Sequence, residues 1–156
     1  MSKSLARVRS ALEAAGVAAE IREMPAETRT AEQAAAAAGC ALDQIVKSIL
    51  FLGAESGQLH LFLTAGGNQV SVEKAGALAG EALGRADAAT VRAQSGFAIG
   101  GVAPVGHLVP LPVWLDPRLM EFREVWAAGG TPRHIFAVAP DILQRLTGAQ
   151  IGQFTV

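Results

Sequence analysis

The chain contains a single cysteine, Cys40, in 156 residues. One thiol excludes an internal disulfide framework and a thiolate zinc cluster. The three histidines lack metal-ligand spacing, so neither a metal nor any other cofactor is expected. There is no excess of positive charge: Lys+Arg is 13 against Asp+Glu 14, with a pI near 6.3. A duplex-binding domain carries a clear basic excess. A protein that grips only the end of an RNA needs fewer phosphate contacts, and its binding is weak and salt-sensitive. No apolar run reaches the roughly 18 residues of a membrane span. The start, Met1-Ser2-Lys3-Ser4-Leu5-Ala6-Arg7, has no signal-peptide core, so a cytoplasmic protein is expected. Repeats and linkers are missing too. Tyrosine is absent and tryptophan occurs twice, a composition compatible with a small pocket.

What the chain does have is apolar mass. Hydrophobic residues make up 51% and charged residues 17%, which excludes disorder and suits one domain over residues 1–156. Leu5, Val8 and Leu12 fall at helical spacing and Gly16 ends that helix. Val17 to Arg22 alternates as a short strand. Thr30-Ala31-Glu32-Gln33 is a capping box ahead of the alanine run Ala34 to Ala38, with Gly39 as the stop. Gln44 to Leu52 reads as a central strand, and Leu59 to Thr64 as its hairpin partner. Ser71 and Asp87 cap helices over 72–78 and 88–94. Strands are expected over 111–115, 123–127, 134–138 and 151–156, and a helix over 141–146 behind Pro140. The fold class is mixed α/β: a curved mixed sheet or partial barrel with helices packed outside.

Three places stand out chemically. Lys47 lies on a strand whose two faces, Ile45/Lys47/Ile49/Phe51 and Val46/Ser48/Leu50/Leu52, are otherwise apolar. A buried ammonium there is costly unless it is paired or faces a polar cavity; snorkelling at a strand end would also accommodate it. The segment from Gly96 to His107 holds four glycines and a proline. Glycines let a backbone approach a ligand closely, and successive amides can point at one oxyanion; a structural turn is the plainer alternative. It is neither a Walker loop nor a dinucleotide fingerprint. The third place is Gly129-Gly130-Thr131-Pro132-Arg133-His134, where His134 could titrate near neutrality or serve structure alone. His60 reads as a surface residue and Cys40 as a small apolar filler.

Taken together, the helix from Thr30, the strand around Ile45-Val46-Lys47-Ser48, the loop Gly100 to His107 and the segment Ala128 to His134 resemble the YbaK/prolyl-tRNA-synthetase-associated editing domain family. The resemblance covers essentially the whole chain. It implies a barrel-like mixed α/β fold and hydrolysis of mischarged aminoacyl-tRNA carrying a small amino acid. The family's active-site lysine maps to Lys47, and its Gly-x-x-x-Pro loop to Gly100 through Pro104. Family members carry Asn or Thr after the lysine; this chain has Ser48, which leaves the amino-acid preference open.

The chemistry implied is ester hydrolysis. Amides at Gly100 and Gly101 would stabilise the developing oxyanion, an effect of about 3–4 kcal/mol per well-placed donor. Lys47 would pair with the terminal phosphate or orient the substrate. A vicinal hydroxyl or bound water would move the proton. Ser48, Pro104, Gly106, His107, Gly129, Gly130 and His134 are the expected substrate-binding residues. The partners implied are the tRNA acceptor end and a synthetase in trans, with a monomer as the default state. Gly101→Ala is expected to cost activity more than stability. A non-catalytic module that kept the fold and pocket is the alternative; an esterase of free small molecules is disfavoured because no Gly-x-Ser-x-Gly motif is present.

Overall fold

The computed structural model describes residues 2–156. Helix α1 (Lys3–Ala14) opens on Ser2, whose hydroxyl accepts from the Leu5 amide, and buries Leu5, Val8 and Leu12. Strand β1 (Ile21–Glu23) is shorter than the alternation predicts and leads to α2 (Ala31–Ala38). That helix has the capping box in full: the Thr30 hydroxyl accepts from the Gln33 amide, and Gly39 closes the helix in the left-handed conformation. Strands β2 (Val46–Gly53) and β3 (Leu59–Ala65) form the expected hairpin, with Lys47 opposite Thr64 and Ser48 opposite Leu63.

Three helix–strand pieces and a hairpin follow. Helix α3 (Val72–Ala79) is capped by Ser71, and α4 (Ala88–Ser95) by Asp87. Between them runs β4 (Leu83–Arg85), which the sequence pattern does not signal because it is three residues long and centred on Gly84. Strand β5 (Val113–Leu115) begins only after Pro112, since a proline has no amide to give a ladder. Strands β6 (Val125–Ala128) and β7 (His134–Val138) pair antiparallel. Helix α5 (Pro140–Thr147) carries its proline at the first position, and β8 (Gln150–Ile151) is two residues where six were expected.

The strands divide into two sheets rather than one curved sheet. One has the order β1-β7-β6 and the other β4-β2-β3-β5-β8. A single parallel bridge, Ile45 to Trp126, joins their edges. β5 runs parallel to both β3 and β8, so the larger sheet is mixed. The two sheets form an open, barrel-like wall. Cross-strand register explains why β2 is apolar on both faces. Val46 and Leu50 pack with Leu61 and Leu63 into the main core, with α1 and α5. Ile49 and Phe51 pack against Phe62, Phe154 and α3 on the other face. Cys40 packs against a smaller cluster around Trp126 and Ile135. Among the described residues no helix is long and apolar enough to cross a membrane.

Candidate functional site

A cavity of about 480 Å³ opens where the two sheets meet. Its floor is β2, from Ile45 to Leu50. One side is Trp126, Ala127 and Ala128 of β6; the other is the start of α2, with Arg29, Ala31 and Ala34. Ile99, Gly100 and Val102 of the glycine-rich loop close the rim. The walls are therefore small or apolar, and the polar groups are few. Arg29 and Lys47 are the charged residues of the lining, and no carboxylate, histidine or cysteine lines it among the described residues.

The Lys47 ammonium donates to the Asn68 carbonyl, in the turn that follows β3. That turn is held firmly. The buried Asp116 carboxylate accepts from the Ala65 amide at 3.1 Å, the Asn68 side chain at 2.9 Å and the Arg118 amide at 2.9 Å. Asp43 receives the Gly67 amide at 2.8 Å. An ammonium has three donors, so two remain for a ligand. Ser48 shares its face with Val46 and Leu50, and its buried hydroxyl has no hydrogen-bond partner in the structure. An unsatisfied buried hydroxyl costs about 1–3 kcal/mol, a cost that a bound polar group would remove.

The two loop glycines separate. Gly100 has φ +93°, in the left-handed region, and lines the cavity; its amide has no partner among the described residues. The Gly101 amide donates to the Ala98 carbonyl at 3.0 Å. A Cβ on Gly101 would stand 3.0 Å from the Thr131 backbone. Gly101 therefore packs the loop onto the 131–132 turn and does not offer its amide to the cavity.

The other residues expected at the site lie outside the lining. Gly106 and Gly130 seat the loops on α1: a Cβ would meet the Arg7–Val8 backbone at 3.1 Å or the Ser4 carbonyl at 2.8 Å. Pro104 is buried beside them. His107 donates to the Ala103 carbonyl at 2.7 Å and stands edge-on to Phe97; burial pushes its imidazole below the ordinary histidine range. Gly129 abuts Ile21 and His134. His134 Nδ1 hydrogen-bonds at 2.6 Å to the hydroxyl of Thr131, which does line the cavity, so His134 touches the site through another residue. His60 is not a surface residue but 4% exposed, because its Nε2 donates to the Glu81 carboxylate at 2.9 Å.

Sequence reasoning missed Arg29, Trp126 and Thr131. A signal for Arg29 was present: a cation just ahead of a helix N-terminus, where the helix dipole opposes it. Its guanidinium is paired with Glu27, at 2.7 Å from Nε. Trp126 had no local signal. It reaches the cavity only because β6 bridges the edge of β2.

Comparison with known proteins joins these observations. A model of the aminoacyl-tRNA editing domain matches residues 25–146, a span that contains the whole cavity lining. The chain is 30% identical over 132 residues to the uncharacterised protein YwhH of Bacillus subtilis (strain 168), covering 85% of this chain and 83% of the relative. It is 48% identical, with a TM-score of 0.93, to the crystal structure of a candidate trans-editing enzyme for prolyl tRNA synthetase; the match covers 100% of this chain and 99% of the other. A hypothetical protein of known structure follows at 26% identity and TM-score 0.88, over 96% and 99% of the two chains. With that model spanning most of the chain and the cavity lined from within its match, the chain belongs to the aminoacyl-tRNA editing domain family.

Proposed function

We propose that the protein is a trans-editing deacylase. It hydrolyses the ester of mischarged aminoacyl-tRNA carrying a small non-cognate amino acid of the alanine, cysteine, serine or threonine class, on tRNA-Pro or a related tRNA. The observation that carries this reading is the cavity itself: largely alanine and branched aliphatic walls, cations as its only charged residues, and hydroxyls with no histidine or carboxylate in the lining to activate them. Its 48% identity to a candidate trans-editing enzyme for prolyl tRNA synthetase supports the choice of tRNA.

The aminoacyl side chain enters between β2 and β6, where Trp126 and Ile135 limit its size. A synthetase separates similar small amino acids by only about 1–3 kcal/mol per methylene, so a second site that admits only small side chains removes the errors. The ester carbonyl oxygen points at the Gly100 amide. Water adds to the carbonyl carbon, and the amide stabilises the oxyanion. The carbon–oxygen bond to the ribose then breaks, giving the free amino acid and the uncharged tRNA. Ser48 has no histidine or carboxylate against it to activate it as a nucleophile. The vicinal ribose hydroxyl or a bound water carries the proton. Lys47 orients the ester from the strand floor through the donors that Asn68 leaves free.

Release of labelled amino acid from alanine-, cysteine-, serine- and threonine-charged tRNA-Pro tests the reading. Lys47→Ala is expected to lower turnover at least about tenfold, or about 1.4 kcal/mol of transition-state stabilisation, with its melting temperature kept. Tight binding of the charged tRNA without release would instead identify a non-catalytic module of the same fold.

A further inference from the structure

The cavity has two cations, and they are not equivalent. The Lys47 ammonium is on the strand floor with one donor given to the Asn68 carbonyl. The Arg29 side chain stands at the mouth, 53% exposed. Its orientation is fixed along one edge: Nε donates to Glu27 Oε2 at 2.7 Å and Nη2 to Oε1 at 3.4 Å. The third nitrogen, Nη1, has no acceptor among the described residues. It is the side-chain atom nearest to where a Cβ would stand on Gly100, 3.1 Å away. The pair with Glu27 therefore aims a planar, permanently charged donor at the loop residue that carries the free amide.

Stability does not account for this placement. Arg29 precedes the N-cap Thr30 of α2, where the helix dipole disfavours a cation. Nor does Glu27 cancel the charge at the mouth. The Arg133 guanidinium also acts on Glu27 and helps to hold its carboxyl below the ordinary range, after the larger effect of Arg29. Glu27 itself does not line the cavity, whereas Arg29 and Lys47 do. Arg133 gives its Nη2 to the Met24 and Pro25 carbonyls, at 3.4 and 3.0 Å, and does not line the cavity. Arg29 does line it, and among the described residues its Nη1 is free.

We propose that Arg29 is the phosphate seat of the site, binding the 5′ phosphate of the same terminal nucleoside whose 3′-side ester reaches Gly100. The proposal rests on the deacylase reading for the identity of the ligand. In a nucleotide the ester and the 5′ phosphate lie on either side of one ribose. Gly100 and Arg29 are likewise neighbours in the cavity lining, with Nη1 3.1 Å from where a Gly100 Cβ would stand. Nη1 belongs to a planar, permanently charged group, so it can give its N–H bonds to a phosphate oxygen while Nε and Nη2 stay on Glu27. This gives Arg29 the phosphate contact, one of the two roles the sequence leaves open for Lys47, and leaves Lys47 the other, orienting the substrate.

The test uses a non-hydrolysable pair: 3′-deoxy-3′-(alanylamido)adenosine with and without its 5′ phosphate. Binding of each to the full chain is measured by calorimetry at low salt. Wild type is expected to bind the phosphorylated analogue at least tenfold more tightly. Arg29→Ala should reduce that ratio to below twofold, and Arg29→Lys should restore part of it, with melting temperatures unchanged throughout. A wild-type ratio near one, failure of the phosphorylated analogue to bind wild type, or a tenfold ratio that survives in Arg29→Ala would each overturn the proposal. Because the ligands are not hydrolysed, the result is independent of catalysis. A phosphate preference that depends on Arg29 in a protein that releases no amino acid from any charged tRNA would sink the deacylase reading and leave the seat standing. Deacylation without a phosphate preference would do the reverse.

Discussion

A methyl group added at Gly100 would press on Arg29 Nη1 at 3.1 Å and touch its Cγ at 3.6 Å, and the residue would have to hold φ +93°, which costs a side-chain-bearing residue about 1–3 kcal/mol. The backbone would relax and turn the cavity amide aside. A methyl group at Gly101 would press on the Thr131 backbone at 3.0 Å and Pro132 Cδ at 3.1 Å. Neither neighbour can swing away, so overpacking of about 1–3 kcal/mol is expected. The two substitutions should therefore separate. Gly100→Ala is expected to lower single-turnover deacylation by about 10²-fold, the effect of losing one oxyanion donor. Gly101→Ala is expected to lower the melting temperature more than it lowers the rate per folded molecule. This reverses the expectation drawn from sequence, where the left-handed residue could not be told from its neighbour. Melting and single turnover measured on one sample decide it; a fully active Gly100→Ala would remove that amide from the reaction.

Elements whose signals are local were legible. Ser71, Asp87, Pro140 and the Thr30 box mark helix starts in the sequence and in the structure, because a cap is a contact between residues three apart. The β2–β3 hairpin was legible for a similar reason. The division into two sheets was not, since it depends on one bridge between Ile45 and Trp126, 81 positions apart. The site follows the same rule. Lys47 and Gly100 stood out from their local patterns and Ser48 from the family resemblance; Trp126 reaches the cavity through a bridge that no short window shows, and Thr131 from the turn between β6 and β7. The turn after β3 was passed over although Gly66-Gly67-Asn68 has an unusual composition. Gly66 is there because a Cβ would collide with the Leu42 carbonyl. Asp116, 2% exposed, holds this turn with three accepted hydrogen bonds. An amide at that position must present donors where the wild type presents lone pairs. Asp116→Asn is thus expected to cost about 2 kcal/mol or more in urea melts, from at least one buried donor left unpaired. An unchanged midpoint would show that the turn is held by its glycines and Asp43 alone.

At the scale of the whole molecule, net charge conceals two local arrangements. The chain carries -1 overall, while the charged residues lining the cavity, Arg29 and Lys47, are both cations. At the other end of the β2–β3 hairpin, Glu81 ties the turn at Glu55 and Ser56 to the end of α3. Its side chain is 8% exposed. It accepts from the Ser56 amide and hydroxyl at 2.9 and 2.7 Å, from His60 at 2.9 Å and from the Glu55 amide at 2.9 Å. Gly53 makes the room, since a Cβ there would overlap the carboxylate.

Those donors, the Ser56 amide first, hold the Glu81 carboxyl at about 2 against an ordinary 4.5. The folded state therefore binds this proton more weakly than the unfolded chain does. The resulting stabilisation is present in full above about pH 4.5 and is lost as pH falls towards 2. His107 has its own window. Its imidazole is held down by burial, so its contribution fades as pH drops below the ordinary histidine range near 6.5. Glu81→Gln removes the first effect and keeps the second. Urea midpoints of wild type and Glu81→Gln should differ at pH 7, keep that difference down to about pH 4.5, and converge between about pH 4.5 and 2. Other lowered carboxyls, Glu27 and Asp87, are common to both proteins and cancel in the difference. Parallel curves across the acid range would show that Glu81 is held by shape and not by its charge, and that the hairpin would close as well on a neutral amide.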